Sequence, residues 1–196
     1  MAELDFAKAV ERMKDFGYIP NPDLVYFNRT FGAKEMIRRG IEYFVGKGNA
    51  KWMPQYDEIA EWLEYNDGRG LLCFGDCGLG KTLVCGKILP LLINHTYGKV
   101  VVCYDCKQLN RSIDEMLSKK LIYLDDVGVE NESVKYGERR QCFAELVDEA
   151  EKKGKLLILT TNLSIEQLEE KYGRRTVDRL RAITKTVLFE GKSMRV

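Results

Sequence analysis

From residue 70 onward, short apolar runs alternate with longer amphipathic stretches. The runs predict strands, four of them apolar enough to be buried on both faces, and the stretches between them have helical spacing. This alternation predicts an α/β fold, a three-layer sandwich in which helices cover both faces of a five-stranded parallel sheet. Pro90 is expected to bend or shorten the first core helix. The predicted strands are GLLCFG (70–75), KVVVCYD (99–105), LIYLDDV (121–127), KLLILTTN (155–162) and KTVLFEG (185–191). The predicted helices are TLVCGKILPLLI (82–93), KQLNRSIDEML (107–117), RRQCFAELVDEAEKK (139–153) and SIEQLEEKYG (164–173).

Residues 1–69 show helical periodicity and no strand pattern. Three helices are predicted there, and the first is expected to end near Gly17. Between the first two, YIPNPDLVYFN (18–28) contains two prolines and is predicted to be an ordered loop or an extended arm. The apolar positions of the three helices are Leu4, Ala7, Val10 and Met13, then Ile37, Ile41, Phe44 and Val45, then Ile59, Trp62 and Leu63.

The stretch GDCGLGKT lies between the first predicted strand and the first predicted core helix. It matches G-x-x-x-x-G-K-[ST], a loop whose backbone N–H groups surround phosphate oxygens at a helix N-terminus. Lys81 is expected to reach the β- and γ-phosphates of a nucleotide, and Thr82 to place its hydroxyl on Mg²⁺. The candidate nucleotide-binding residues are Gly75, Asp76, Cys77, Gly78, Leu79, Gly80, Lys81 and Thr82.

Polar side chains follow two further predicted strands. Asp125 and Asp126 end the run LIYLDD, and we expect Asp125 on the metal side and Asp126 beside the attacking water. Adjacent aspartates also cap turns, which is the structural alternative. After LILT, either Asn162 or Thr161 could hold a water near the γ-phosphate, although asparagine also begins turns. The sequence therefore predicts a nucleotide and Mg²⁺ site where these strands end.

Composition adds limits to this picture. The length of 196 residues and the hydrophobic content of 45% favour one domain, with or without a small appendage. A net charge of +1 gives no overall attraction to nucleic acid, so any such binding needs local clusters of lysine and arginine. No apolar run approaches a membrane span and the first residues are charged, so we expect a cytoplasmic protein with no membrane partner.

Two basic clusters stand out. Arg174, Arg175, Arg179 and Arg181 lie within eight residues; such a run usually forms a solvated helix face, but an arginine can also stabilise a phosphoryl group bound by a neighbouring subunit. In the N-terminal region, basic and aromatic side chains could contact phosphates and bases. Their helical spacing favours ordinary core and surface roles instead. These residues are Arg38, Arg39, Tyr43 and Phe44.

The order of these motifs resembles one family. A phosphate loop, then LIYLDDVG, TTNL, GRRTVDRL and EGKSMR, is similar to the helicase-loader group of AAA+ ATPases, DnaC and DnaI, and to the related IstB transposition helper ATPases. The resemblance covers residues 56–196. It implies an AAA+ P-loop core with no helical lid after the last strand. It also implies that residues 1–55 form a short helical region and a candidate site for docking a partner.

The same resemblance implies roles for single residues. Lys81 and Thr82 match the Walker A motif, Asp125 and Asp126 the Walker B motif, and Asn162 the sensor 1 position. Arg175 matches the arginine finger, which acts on ATP bound by the adjacent protomer. Arg195 matches the sensor 2 arginine, which contacts the nucleotide in cis.

Four functions are consistent with these motifs. The first is a helicase loader that uses ATP and Mg²⁺, assembles in the ATP state, binds single-stranded DNA and acts on a replicative helicase. The second is an IstB-like helper that binds duplex DNA and recruits a transposase. A small-molecule P-loop kinase is the third, and a nucleotide-gated binding module with little turnover is the fourth. Asp126 stands where many AAA+ proteins have glutamate, so slow hydrolysis is expected without a partner or DNA.

Overall fold

The computed structural model describes residues 4–18, 22–28, 32–130, 133–135 and 138–194. Three helices precede the sheet, and α/β alternation begins at residue 70. The elements up to the second strand are α1 (Phe6–Lys14), α2 (Ala33–Val45), α3 (Pro54–Glu64), β1 (Gly70–Gly75), a π-helix (Leu83–Ile88), α4 (Leu89–Tyr97) and β2 (Val102–Asp105). A 3-10 turn (Cys106–Gln108), α5 (Leu109–Ser118), β3 (Leu121–Asp125), β4 (Ser133–Lys135) and β5 (Glu138–Arg140) follow. The last elements are α6 (Cys142–Lys153), β6 (Leu156–Thr160), α7 (Ile165–Tyr172), α8 (Arg174–Ile183) and β7 (Thr184–Phe189).

The main sheet has five parallel strands in the order β2-β3-β6-β1-β7. Each predicted run supplies one of them, so the predicted five-stranded parallel sheet is confirmed. Because β6 lies between β1 and β3, the carboxyl ends of these three strands are adjacent, where ligands bind in open α/β sheets. A short antiparallel pair, β4 and β5, was not predicted.

Buried side chains form one core on each face of the sheet. On one face, α2, α3, the π-helix and α4 pack around Trp62 and Ile88. On the other, α5, α6, α7 and α8 pack around Phe143 and Leu180. The predicted three-layer sandwich is therefore confirmed. The arginine-rich stretch after residue 173 forms α8, which the strand and helix patterns had not assigned.

Residues 22–28 form an extended arm that is fastened to the first core. The Phe27 N–H donates to Asn66 Oδ1 at 2.7 Å, and Asn66 Nδ2 donates to the Val25 carbonyl at 2.8 Å. The Phe27 ring lies 5.4 Å from Trp62 and 4.7 Å from Tyr97, centroid to centroid. The described part of the predicted arm is therefore ordered, with the buried Asn66 satisfying the Phe27 N–H and the Val25 carbonyl.

Two predicted helices differ in detail. Leu4 precedes α1, whose N-cap is Asp5, and the helix buries none of its residues. Ala7, Val10 and Met13 of the predicted stripe lie on this helix and Leu4 does not, and the exposed apolar side chains of the helix include Phe6 and Met13. The predicted helix across Pro90 is a π-helix that runs directly into α4, and Pro90 near the start of α4 has no N–H to donate to the preceding turn. None of the helices in the described ranges is long and apolar enough to cross a membrane.

Candidate nucleotide site

The predicted phosphate loop joins β1 to the π-helix. Its three glycines have φ values of +113°, +78° and +82°, in the region that favours glycine. Close neighbours require glycine as well: a Cβ on Gly80 would lie 2.4 Å from the Tyr56 hydroxyl oxygen. That hydroxyl donates to the Leu79 carbonyl at 3.1 Å, and burial raises the pKa of Tyr56 to about 12. Tyr56 is therefore a neutral hydroxyl donor that supports the backbone of the phosphate loop.

The segment that follows β7 is hydrogen-bonded to the other side of the phosphate loop. The Asp76 N–H donates to the Phe189 carbonyl at 2.8 Å, and the Gly191 N–H donates to Asp76 Oδ2 at 3.2 Å. The Met194 N–H donates to the Gly78 carbonyl at 3.0 Å. A Cβ on Gly78 would lie 2.2 Å from the Ser193 hydroxyl oxygen. The segment after β7 is therefore packed against the phosphate loop.

A cavity of about 320 Å³ opens above this loop. Two polar side chains from other strands face it, Asp126 after β3 and Asn162 after β6. The exposed thiol of Cys77 also borders it. The remaining lining residues are Gly78, Leu79, Gly80, Lys81, Thr82, Leu83 and Met194.

Lys81 provides a cation at this cavity. Its side chain is buried, with 5% of the residue exposed, and burial lowers the pKa of Lys81 below its usual 10.5. Its Nζ donates to the carbonyls of Gly75 at 2.8 Å and Asp76 at 2.6 Å, and to Asn162 Oδ1 at 3.0 Å. These three acceptors use all three N–H groups of the ammonium and hold it beside the cavity, so phosphate oxygens bind it by taking the place of some of them.

Three hydroxyl groups donate hydrogen bonds to one carboxylate oxygen of Asp125. Thr82 Oγ1 donates to Asp125 Oδ1 at 3.0 Å, and Tyr123 donates to the same atom at 2.6 Å. Thr160 Oγ1 is a third donor to it. A carboxylate beside a threonine hydroxyl suits Mg²⁺, which takes oxygen ligands and keeps several of its waters. The residues present therefore fit the cofactor that the sequence predicts.

Asp126 has an unusual backbone for a residue with a side chain, with φ of +54°. This left-handed conformation costs on the order of 1 kcal/mol and is common at functional sites. Thr160 holds it, because Thr160 Oγ1 accepts the Asp126 N–H at 3.2 Å. The turn directs the Asp126 carboxylate toward Asn162, whose Nδ2 donates to Asp126 Oδ1 at 3.2 Å. Asn162 therefore bridges Lys81 and Asp126 with its two amide atoms.

Sequence reasoning missed the residues that hold the two aspartates. Thr160 was passed over, and the structure turns Thr161 away, since its buried hydroxyl donates to the Val127 carbonyl. Of the two predicted water-holding residues, Asn162 is the one at the cavity. Tyr123 carried a usable signal: it lies two residues before Asp125 on one strand, and alternate side chains share a face.

The arginines of α8 have different surroundings. Arg179 forms ion pairs with Asp148 and Glu151 of α6, so its charge serves the packing of two helices. Arg175 is exposed in the first turn of α8 and is not among the residues lining the cavity. Arg195 lies outside the described residues. Its predecessor Met194 lines the cavity, so the described chain ends beside the predicted nucleotide.

Replacing Tyr123 with phenylalanine should weaken the response to Mg²⁺. The change removes the hydroxyl that donates to Asp125 at 2.6 Å and keeps the ring. The ring packs closely against Gly86, where a Cβ would lie 2.6 Å from Tyr123 Cε1. Loss of a group that orients a metal ligand typically costs about tenfold or more in metal affinity. We expect the Mg²⁺ concentration for half-maximal nucleotide hydrolysis to rise about tenfold.

The matched control is Tyr104→Phe. Tyr104 is a buried tyrosine of β2 whose hydroxyl donates to Glu115 at 2.9 Å, away from the cavity. This variant should keep the wild-type Mg²⁺ response. An unchanged Mg²⁺ response in Tyr123→Phe would show that Asp125 does not depend on this hydroxyl.

The phosphate loop, the buried lysine and the two aspartates at the carboxyl end of β3 define a P-loop NTPase. A family model described as Novel STAND NTPase 3 (nSTAND3) matches residues 53–190, and the chain belongs to this family. A search of curated proteins gave no match.

Solved structures confirm the expected likeness in fold to helicase loaders. The DnaC helicase loader aligns with a TM-score of 0.54 and 18% identity, over 84% of this chain and 94% of that one. DnaI aligns with a TM-score of 0.53 and 17% identity, over 85% and 86%. AMPPCP-bound DnaA from Aquifex aeolicus aligns with 0.53 and 21%, over 75% and 48%. At these identities, the similarity shows a shared fold alone.

Proposed function

We propose that this chain is an ATPase of the helicase-loader kind, which binds ATP with Mg²⁺, assembles in that state and acts on single-stranded DNA and a replicative helicase. The observation that carries the ATPase is the Asn162 bridge between Lys81 and Asp126. A phosphate-binding cation, a carboxylate and a polar amide meet there at one cavity. Water activation at the γ-phosphate needs these three groups.

Each side chain has a role in this proposal. Lys81 binds the β- and γ-phosphate oxygens, and the loop N–H groups bind the remaining ones. Bound Mg²⁺ would neutralise charge on the phosphates, with Thr82 and Asp125 as its protein-side oxygens. Asp126 Oδ1 takes the proton of the attacking water, while Asn162 keeps that carboxylate in place. Asp126 is shorter than glutamate, which supports slow turnover.

The proposal also gives roles to two arginines, Arg175 and Arg195. Arg175 is exposed and free of the α6 ion pairs that hold Arg179, which suits a finger that reaches a neighbouring protomer. The Met194–Gly78 bond brings the end of the chain to the phosphate loop, which supports a role in cis for Arg195. The loader assignment is supported by the fold shared with the DnaC helicase loader over 94% of that chain.

We place partner docking on α1. Phe6 and Met13 are about two helical turns apart and therefore lie on the same face of α1. Both side chains are exposed, and the helix buries none of its residues. An amphipathic helix with an unpartnered apolar face suits a groove on another protein. The division of the chain into residues 1–55 for docking and 56–196 for ATP hydrolysis stays part of this proposal.

Size-exclusion chromatography with light scattering tests assembly. The wild-type protein should grow to oligomers with a non-hydrolysable ATP analogue and remain small with ADP, and single-stranded DNA should increase the oligomers. Arg175→Ala should bind the analogue but lose assembly, with hydrolysis at least about 1,000-fold slower, the scale of an arginine finger.

Arg174→Ala is the matched control, since Arg174 is an equally exposed neighbour in the first turn of α8. It should assemble as the wild type does. Wild-type monomers under every condition would contradict ATP-driven self-assembly. Arg175→Ala oligomers with normal turnover would contradict the finger and leave the ATPase proposal standing.

A further inference from the structure

The α2 helix exposes aromatic rings that its spacing had assigned to core and surface roles. Tyr43 is 82% exposed and Phe44 is 37% exposed, and the two rings meet edge to face with centroids 5.2 Å apart. They border an apolar groove of about 310 Å³ between α2 and the π-helix with α4. We call this the α2 groove, and its lining includes Arg39, Gly40, Tyr43, Phe44, Ile88 and Leu91.

Close helix packing shapes this groove. A Cβ on Gly40 would lie 2.8 Å from Ile88, so glycine lets the α2 backbone approach the π-helix. The π-helix begins directly after Thr82 and therefore belongs both to the edge of the nucleotide site and to the α2 groove. A ligand in the groove would contact the element that continues the phosphate loop.

Two cationic side chains, Lys87 and Arg39, lie near the rings and the groove. Lys87 Nζ lies 5.6 Å from the Phe44 centroid, and Arg39 lines the groove with its side chain largely exposed. Residues 33–53 contain five cationic and two acidic side chains, a net charge of +3, whereas the whole chain carries +1. Glu35 and Glu42 are the two acids, and Glu35 pairs with Arg39. Lys34 pairs with Asp57 of α3, and Arg38, Lys47 and Lys51 line a second pocket beside α2, so the surplus gives the α2 surface a positive charge and Arg39 and Lys87 are the cations nearest the rings.

The exposed aromatic rings and the cations near them together fit single-stranded nucleic acid. Exposed aromatic faces stack with nucleobases, and nearby lysine and arginine bind the phosphates between them. Bases in a duplex are already stacked on each other, so their faces are open only in single strands. We propose that the α2 groove binds single-stranded DNA, with bases on Tyr43 and Phe44 and phosphates at Arg39 and Lys87. This inference rests on the proposed function and gives its DNA contact a surface.

Fluorescence anisotropy with a labelled oligothymidylate, in the presence of a non-hydrolysable ATP analogue, tests the surface. Tyr43→Ala should lower affinity about tenfold, the loss expected for one stacked base. Lys87→Gln should flatten the dependence of log affinity on log salt concentration by about 0.7, as for one lost phosphate contact. Both side chains are exposed, so neither change should disturb the core.

Two controls match these variants. Tyr65 is 67% exposed at the end of α3 and lies outside the groove, so Tyr65→Ala should keep full DNA affinity. Lys152 is exposed on α6, on the other face of the sheet, and Lys152→Gln should keep the salt dependence.

The outcomes separate this inference from the proposed function. Wild-type affinity in Tyr43→Ala, with wild-type protein binding DNA, would overturn the groove and leave DNA binding intact. Absence of DNA binding by the wild type, with ATP hydrolysis present, would overturn the inference and the DNA part of the function but not the ATPase. Loss of self-association in Tyr43→Ala, with DNA affinity unchanged, would make the groove an interface between protein chains and overturn the inference as well.

Discussion

Replacing Lys81 with alanine is expected to abolish measurable ATP binding. Charge-assisted hydrogen bonds contribute about 1.5–3 kcal/mol each, so losing two phosphate contacts should weaken binding at least about 100-fold. The change also removes the donor that the Gly75 and Asp76 carbonyls share, which loosens the loop itself. Isothermal titration calorimetry with a non-hydrolysable ATP analogue and Mg²⁺ measures the effect.

Lys155 offers a closely matched control. It is also a buried lysine, its Nζ donates to the carbonyls of Leu117 and Lys119 at 2.6 and 2.8 Å, and burial likewise lowers its pKa. It lies at the start of β6, at the opposite end of the sheet from the cavity. Lys155→Ala should lower thermal stability and retain ATP binding. ATP affinity in Lys81→Ala within a few-fold of the wild type would contradict the proposed phosphate contact.

Replacing Asp126 with asparagine is expected to stop turnover while sparing binding. Removing a general base typically slows a reaction by about 100- to 10,000-fold. Asparagine is nearly isosteric and tolerates positive φ, so the turn at +54° should survive the change. Phosphate release under single-turnover conditions, beside calorimetry of analogue binding, separates the two effects.

Asp105→Asn controls for the loss of a carboxylate at the end of a strand. Asp105 ends β2, is opposite Asp125 in register, and accepts the Lys107 N–H at 2.8 Å. Asparagine can accept the same bond, so this variant should hydrolyse ATP normally. Wild-type turnover in Asp126→Asn would place the proton acceptor elsewhere and leave Asp126 as a residue of the turn.

Local pattern was sufficient for much of the fold. The five apolar runs became five strands. The three central strands, β1, β3 and β6, are largely buried on both faces, which requires continuous apolar sequence. The phosphate loop was equally readable, since its glycines meet backbone requirements that other residues meet poorly. The predicted helix from residue 164 begins with a capping box of Ser164 and Gln167, which depends only on residues three positions apart.

The positions of α1 and α2 side chains were less predictable. Periodicity says which residues share a helix face but not whether another element covers that face. Phe44 had the spacing of a core residue and is partly exposed, and Phe6 is exposed although it lies in an amphipathic helix. Burial depends on partners that are distant in sequence.

The sequence by itself determined the strands, the phosphate loop and the identities of Asp125, Asp126 and Asn162 as candidates. Only the tertiary structure showed that Asn162 connects Lys81 to Asp126 and that Thr160 supports both aspartates. It alone also brought the segment after β7 onto the phosphate loop. The physical reason is range: strand and loop propensities act between near neighbours, whereas these hydrogen bonds join residues that strand order alone makes adjacent.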